Sequence, residues 1–263
     1  MAETGEVPAA NTDRFYDDLA GDYDRLIRWQ SRLRTERPWF EALWKRFHVR
    51  SVLDASCGTG HHMVLFTEQG LEVTGADASI EMVEAARRNL GEAGIGTDGR
   101  VVHSTWADLA TKVPRQFDAV LCIGNSLPYV LDPDEFHASL RGIWSRVAPG
   151  GVAMVQFRNF EKAVRSGQRF LPLMATSQPV ETLGIRMYDF HPHHIDFNVI
   201  LVEKVGGEWR MRHRVTTLKP YTPDEVESVF RALGGRAEVY GNLGLEPFDR
   251  ALSDDAVIVA RHA

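Results

Sequence analysis

Asp54, Cys57, Gly58, Thr59 and Gly60 stand in the order Asp-x-x-Cys-Gly-Thr-Gly after the apolar pair Val52-Leu53, and Asp77 closes the next apolar run. Residues of these types suit the binding of a nucleoside. Glycines let the chain bend through positive φ and let a ligand approach the main chain, while free N–H groups at a helix start donate hydrogen bonds. A carboxylate ending the following strand can accept from both hydroxyls of a ribose. The full G-x-G-x-x-G pattern of a dinucleotide site is missing, because Met63 stands where its last glycine belongs. An adenosine cofactor is therefore expected in preference to NAD.

Such a turn must be held between a strand and a helix, and the surrounding sequence repeats that unit. Phe15, Leu19, Tyr23 and Leu26, then Trp39, Phe40, Leu43, Trp44 and Phe47, recur at helical spacing, so two helices precede the first strand. Strands are expected at 51–55, 71–76, 100–104 and 117–123, with helices at 61–69 and from Ser79 to Leu90. Asp132, Pro133 and Glu135 open another helix, with Pro149-Gly150-Gly151 as its stop. Alternation over this length predicts an α/β, doubly wound, mostly parallel sheet with its site at the carboxyl ends of the strands. Residues 158–178 read as a polar irregular stretch. Three strand-like runs follow, with turns at His191-Pro192 and Gly206-Gly207, which predicts a small inserted antiparallel sheet over the site mouth. Thr222 and Glu225 form a capping box, and strands at 236–240 and 256–260 finish the chain. The expected organisation is a loose tail over 1–13, lid helices and cofactor part over 14–157, a substrate-covering insertion over 158–219, and a completing segment over 220–263.

With 263 residues, 44% of them hydrophobic, the chain can bury a sizeable core. Lys and Arg total 30 against 36 Asp and Glu, a net charge of -6 that argues against sequence-independent nucleic-acid binding and for a small-molecule substrate. Cys57 and Cys122 form no CxxC pair, so a reducing, cytoplasmic setting without a metal is expected. No run reaches the ~20 apolar residues of a membrane span.

The segment Asp54 to Gly60 resembles the first motif of the class I S-adenosylmethionine-dependent methyltransferases. "FDAVLCIGNS" at 117–126, "QFRNFE" at 156–161 and "FYDDLAGDYDRLIRWQSRLRTE" at 15–36 are similar to segments of the glycine and sarcosine N-methyltransferases. The resemblance covers most of the chain up to about residue 161. It implies the Rossmann-like methyltransferase fold, S-adenosyl-L-methionine as cofactor, and transfer of a methyl group to the amine of a small carboxylate-bearing metabolite. It also implies roles position by position. Arg34 would hold the cofactor's methionine carboxylate and Tyr23 would stand against the cofactor. Asp54, Ser56, Gly58, Gly60, Asp77, Ala78 and Met82 would form its berth. Thr105 and Trp106 would flank the adenine, with Asp108 as a substitute for Thr105, and Ile123 would add a backbone contact. Arg158 would pair with the acceptor's carboxylate, and Asn125 would accept a hydrogen bond from its amine.

In-line methyl transfer asks mainly for alignment, water exclusion and dipoles facing the methyl. His61, His62, Tyr16 and Tyr188 are the candidates for removing the amine's proton. His193 and His194 are adjacent and read as turn histidines, and Cys57 as a small packing residue. The tyrosine-rich substrate wall of the family is thinner here, with Ile27 at one such position and Phe15-Tyr16 at another. Two other readings stay open: O-methylation of a carboxylate or hydroxyl metabolite, and a cofactor-binding regulatory protein without turnover. A homo-oligomer is compatible with each.

Overall fold

Short Val-, Leu- and Ala-rich runs form strands, and the amphipathic segments between them form the helices that cover both faces of a sheet. The computed structural model describes residues 12–178 and 180–262. Helices α1 (Thr12–Leu26) and α2 (Trp29–Phe47) precede β1 (Ser51–Asp54), α3 (His61–Glu68), β2 (Glu72–Asp77), α4 (Ile80–Glu92) and β3 (Val101–His103). Then come α5 (Leu109–Lys112), β4 (Phe117–Cys122), α6 (Pro133–Ser145), β5 (Val147–Arg158) and α7 (Phe160–Ser166). Strands β6 (Met174–Thr176), β7 (Thr182–Phe190), β8 (Ile195–Val205) and β9 (Glu208–Leu218) lead to α8 (Pro223–Ala232), β10 (Gly235–Tyr240) and β11 (Asp255–His262). The tail expected over 1–13 lies outside the described residues up to residue 11, and Thr12 and Asp13 already belong to α1. Among the described residues no helix is long and apolar enough to cross a membrane.

The main sheet has seven strands in the order β10-β11-β5-β4-β1-β2-β3, and only β11 runs antiparallel to its neighbours. Because β1 pairs with β2 on one side and β4 on the other, the chain winds outward to β3 and then returns. That reversal opens a crevice beyond the carboxyl ends of β1 and β4. Side chains alternate across the sheet. Leu53, Val120, Val155 and Ile258 pack under α6 and α8, while Val52, Leu121, Met154 and Val257 pack under α2, α3 and α4. A third core lies between α1 and the separate antiparallel sheet β6-β7-β8-β9, where Phe15, Leu19 and Leu26 meet Val199 and Leu201. The doubly wound sheet and the antiparallel insertion are therefore both present as the sequence predicts.

The caps are as expected at Asp132, whose Oδ1 accepts from the Glu135 N–H at 2.8 Å, and at Thr222, which forms the full capping box with Glu225. Two features differ from expectation. Helix α6 ends at Ser145, and Pro149-Gly150-Gly151 lies inside β5, where Phe117 pairs with Val147 but Ala119 with Val152. The turn residues that read as a helix stop thus make a bulge. The stretch after Arg158 contains α7, capped by Asn159, whose Oδ1 accepts from the Lys162 N–H at 3.3 Å.

Gly60 is the αL N-cap residue of α3 with φ +80°, and a Cβ there would fall 2.9 Å from Leu90 Cδ1 and 3.0 Å from Ala86 Cβ. Its role is close packing of the turn onto α4. Gly60→Ala should destabilise the protein by roughly 1–3 kcal/mol in urea unfolding, through overpacking and positive φ together; an unchanged midpoint would refute this. Asp54 ends β1 at 1% exposure, its Oδ2 has no hydrogen-bond partner, and burial pushes its carboxyl up to about 7. A folded-state value above the ~3.9 of an unfolded aspartate means stability fully present below about pH 4 and lost as pH rises through 7. Asp54→Asn should flatten the fall in melting temperature between about pH 4 and about pH 7. Parallel melting curves for the two proteins would remove Asp54 from that pH dependence.

Candidate active site

The loop after β1 reaches Asp77 through the main chain. Gly58, at φ +51°, donates its N–H to Asp77 Oδ2 at 2.8 Å, and the Ser79 N–H donates to Oδ1 at 3.0 Å. Burial raises the Asp77 carboxyl above its ordinary value, with these backbone donors opposing it. A Cβ on Gly58 would meet nothing nearer than Tyr23 Cε1 at 3.9 Å, so the main chain there faces open space. Ser56 Oγ donates to the Ile123 carbonyl and accepts from the Ile123 N–H, both at 3.1 Å, which ties the end of β4 to the same loop.

These elements surround a cavity of about 470 Å³. Of the residues expected around the cofactor, Tyr23, Ser56, Gly58, Asp77, Ala78, Met82, Thr105, Trp106 and Ile123 line it. Trp106 donates its indole N–H to the Ala55 carbonyl, and Thr105 Oγ1 donates to Asp108 Oδ2 at 3.0 Å. Three expected cofactor residues do not line it. Asp54 and Gly60 lie behind the loop, as above, and Arg34 is exposed on α2 and lines neither cavity. The guanidinium facing inward is Arg32, whose Nε is 2.9 Å from Glu36 Oε1 and which lies over the Trp29 ring at 5.1 Å. On a helix a step of two residues reverses the face, so the expectation at Arg34 misses by half a turn.

Asn125 and Arg158 line a second cavity, which shares Arg32 and Gly124 with the first. Asn125 holds φ +68°, and its Oδ1 accepts from the Arg158 N–H at 2.9 Å. The oxygen expected to face an amine is therefore engaged with the main chain. Arg158 Nη1 lies 3.6 Å from Asp255 Oδ1 and Nη2 lies 3.9 Å from Asp254 Oδ1, so its charge already faces two carboxylates.

Helix α1 lies against the first cavity and contributes Tyr16 and Tyr23 to its lining. Asp24 Oδ1 accepts from Thr59 Oγ1 at 2.6 Å and from the Trp29 indole N–H at 2.8 Å, and Asp17 accepts from Ser79 Oγ at 2.5 Å. Burial works to raise the Asp24 carboxyl, but hydrogen bonds from His61 and Thr59 outweigh it and hold it below its ordinary value. Trp29 and Tyr129 also line the cavity and were not assigned to it from sequence, whereas His62, a candidate base from sequence, does line it. A glycine pattern marks the turn but carries no signal for side chains that α1 and α2 fold over it.

The candidates for proton removal differ. Burial raises Tyr16 well above its ordinary value, aided by Tyr129, and raises Tyr188 to about 12. Neither phenol is set up as a base. His62 is 5% exposed, burial lowers it against the opposing hydrogen bond to Glu36 at 2.7 Å, and His61 stacks on Trp29. Burial pushes the Cys57 thiol well up, which fits a packing residue. Near the β7–β8 turn, His191, His194 and Asp196 place possible ligand atoms within 4.8 Å of one another, a grouping that attention to His193 and His194 overlooked.

Residues 52–151 match the family described as "Methyltransferase domain". The chain is 31% identical over 156 residues to a glycine/sarcosine N-methyltransferase of Halorhodospira halochloris, covering 59% of this chain and 58% of that protein. It thus spans less than two thirds of the length of the curated relatives it matches. An S-adenosylmethionine-dependent methyltransferase from Clostridium acetobutylicum superposes with a TM-score of 0.77 at 15% identity, over 95% of this chain and 99% of its own. An amino pentose methyltransferase from Micromonospora echinaspora with S-adenosylmethionine bound superposes with a TM-score of 0.64 at 20% identity, over 100% of each chain. Fold and sequence likeness agree with the arrangement of Asp77, Gly58 and Ser56 at the sheet's reversal: the chain carries a methyltransferase domain over residues 52–151, and S-adenosylmethionine-dependent methyltransferases are what its fold is similar to.

Proposed function

We propose that this protein transfers a methyl group from S-adenosylmethionine to the amine of a small carboxylate-bearing metabolite of the glycine or sarcosine kind. One observation carries the reading. The half-buried Asp77 carboxylate faces a cavity to which α1 contributes Tyr16 and Tyr23, and through Arg32 and Gly124 that cavity adjoins a second one holding Arg158 and Asn125. The donor set fits the cofactor: a carboxylate for vicinal hydroxyls, a guanidinium at Arg32 for a carboxylate, and apolar and aromatic walls at Met82, Trp106 and Tyr23. Likeness to a glycine/sarcosine N-methyltransferase supports the acceptor class.

Bound there, the cofactor supplies a methyl group on a positively charged sulfur. The chain's own part is alignment and exclusion of water. Asp77 fixes the ribose end, Arg32 the amino-acid end, and Tyr16, Tyr23 and Tyr129 wall the same cavity. Since the phenols are held neutral by burial, the amine must enter as the free base or lose its proton before it is enclosed.

Incubation with methyl-labelled cofactor and a panel of amino acids, amines and hydroxy acids tests the reading. Label should appear on the nitrogen of glycine- or sarcosine-like acceptors. Label on a hydroxyl or carboxylate oxygen would replace it with O-methylation, and cofactor binding with no labelled product would leave a binding protein. Asp77→Ala should weaken S-adenosylmethionine at least about tenfold in calorimetry, since two ribose hydrogen bonds to a charged acceptor are lost. Undiminished affinity would remove Asp77 from the ribose.

A further inference from the structure

The turn between β7 and β8 brings two imidazoles and a carboxylate onto one face of the small sheet. Phe190 pairs with Ile195, and beyond them the His191 N–H donates to the His194 carbonyl at 3.0 Å, which makes these two the next facing pair. Facing residues share a side of the sheet, and so do residues two apart on one strand. Asp189, His191, His194 and Asp196 therefore project to the same side. Tyr188, Phe190, Ile195 and Phe197 project to the other, where they join the core against α1. Residue order hides the grouping, because adjacent His193 and His194 point to opposite faces and the second imidazole comes from across the turn.

The three side chains meet at their donor atoms. His191 Nε2 lies 3.2 Å from Asp196 Oδ2, and His194 Nε2 lies 3.8 Å from Asp196 Oδ1, so each carboxylate oxygen faces one imidazole. The two rings lie side by side, with centroids 4.4 Å apart and 16° between their planes. Zinc bonds of about 2.0–2.2 Å at tetrahedral angles place ligand atoms about 3.3–3.5 Å apart, and the two observed separations fall on either side of that span. Behind the carboxylate, Thr217 Oγ1 on β9 donates to Asp196 Oδ1 at 3.3 Å, the kind of outer hydrogen bond that orients a ligating carboxylate.

The charges around Asp196 favour a cation at the same point. In register Asp196 stands directly opposite Asp189, and like charges so placed repel. Asp189 has its own cation in Arg169 and accepts from Asn198 Nδ2 at 3.0 Å. Asp196 pairs with no Lys or Arg among the described residues, only with the two imidazoles. Two imidazolium ions stacked at this distance would repel each other, whereas one divalent ion meets both nitrogens and the carboxylate at once. Two imidazoles with one carboxylate suit zinc and its first-row neighbours, while magnesium and calcium call for oxygen alone.

We propose that His191, His194 and Asp196 bind a zinc ion that fastens the end of the β7–β8 hairpin, its fourth coordination position open to water. On the inward face of that hairpin, Tyr188 stands 5.6 Å from the Phe160 ring of α7 and Phe197 stands 6.3 Å from the Phe15 ring of α1, so a clip at the turn steadies the part of the sheet that packs on both helices. The three ligands line neither cavity, and the site is independent of the methyl-transfer reading.

The test uses the whole protein, stripped with a chelator and titrated with zinc chloride in competition with a chromophoric zinc indicator. The native chain should take up one zinc ion with a Kd of about 10 µM or tighter, undisturbed by about 1 mM magnesium. His191→Ala, His194→Ala and Asp196→Asn should each weaken uptake at least about tenfold, and His193→Ala should change it less than about threefold. Saturating zinc should raise the melting temperature of the native protein, since an ion that binds only the folded chain stabilises it, and should leave Asp196→Asn unmoved. Weaker native binding, uptake that survives the three ligand substitutions, or an equal loss in His193→Ala would overturn the site. An unmoved native melting temperature would overturn the fastening role. Should an alanine variant not fold, His191→Gln and His194→Gln decide by the same tenfold criterion. Zinc uptake with no labelled amine, or labelled amine with no zinc uptake, would sink one reading and leave the other.

Discussion

The site depends on one half-buried acid satisfied by main-chain donors. Asp77 is partly withdrawn from water at the end of β2, where hydrogen bonds to its oxygens offset the lost solvation. The Gly58 N–H, from the loop after β1, and the Ser79 N–H, from the loop after β2, supply those bonds, so one side chain holds two strand ends in register. Ser79 Oγ also accepts from the Met82 N–H at 3.1 Å and caps α4, and Ser56 joins the end of β4 through Ile123. Backbone at these three strand ends is thereby fixed in position, facing a cavity, before a ligand arrives. That is the condition for binding without reorganisation.

Much of this could be read from residue order, because it is local. Alternating apolar runs announce strands, Asp132 and Thr222 announce helix starts, and the glycines after Asp54 announce the turn. What depends on distant parts of the chain could not be read. Gly142 sits in α6 with nothing locally unusual, yet a Cβ there would lie 1.8 Å from the Trp106 carbonyl, so a glycine far from the motif sets how closely α6 approaches the cavity wall. Pro149-Gly150-Gly151 has the composition of a helix stop, and only pairing with β4 shows that it is a bulge. Helix α7 was hidden by the arginines and glycine around it, although Asn159 at its start was a cap in plain sight. Arg32 and Arg34 are equally plausible in a helix until the rotation of α2 chooses between them.

The N-terminal helix links parts that the sequence keeps far apart. Asp17 and Asp24 fasten α1 to the cofactor loops, while Asp22, one turn of side chains away, meets Arg25, Arg212 and Arg214. Helix α1 is thus both the roof of the cofactor cavity and the floor of the antiparallel sheet. Carboxylates spaced along a single helix serve the two neighbours separately. Asp22 is 5% exposed, which makes its ion pairs less sensitive to salt than surface pairs.

The antiparallel sheet hangs from the main one at both ends, following β5 at one and, at the other, bound through the Lys219 N–H to the Pro128 carbonyl at 2.7 Å. Its four strands contribute no residue to the loops that hold Asp77 and none to the lining of either cavity. Heredity can rewrite the side chains of β7, β8 and β9 one at a time while the nucleoside cup keeps its shape. The small sheet and the cup are, in this architecture, independently mutable.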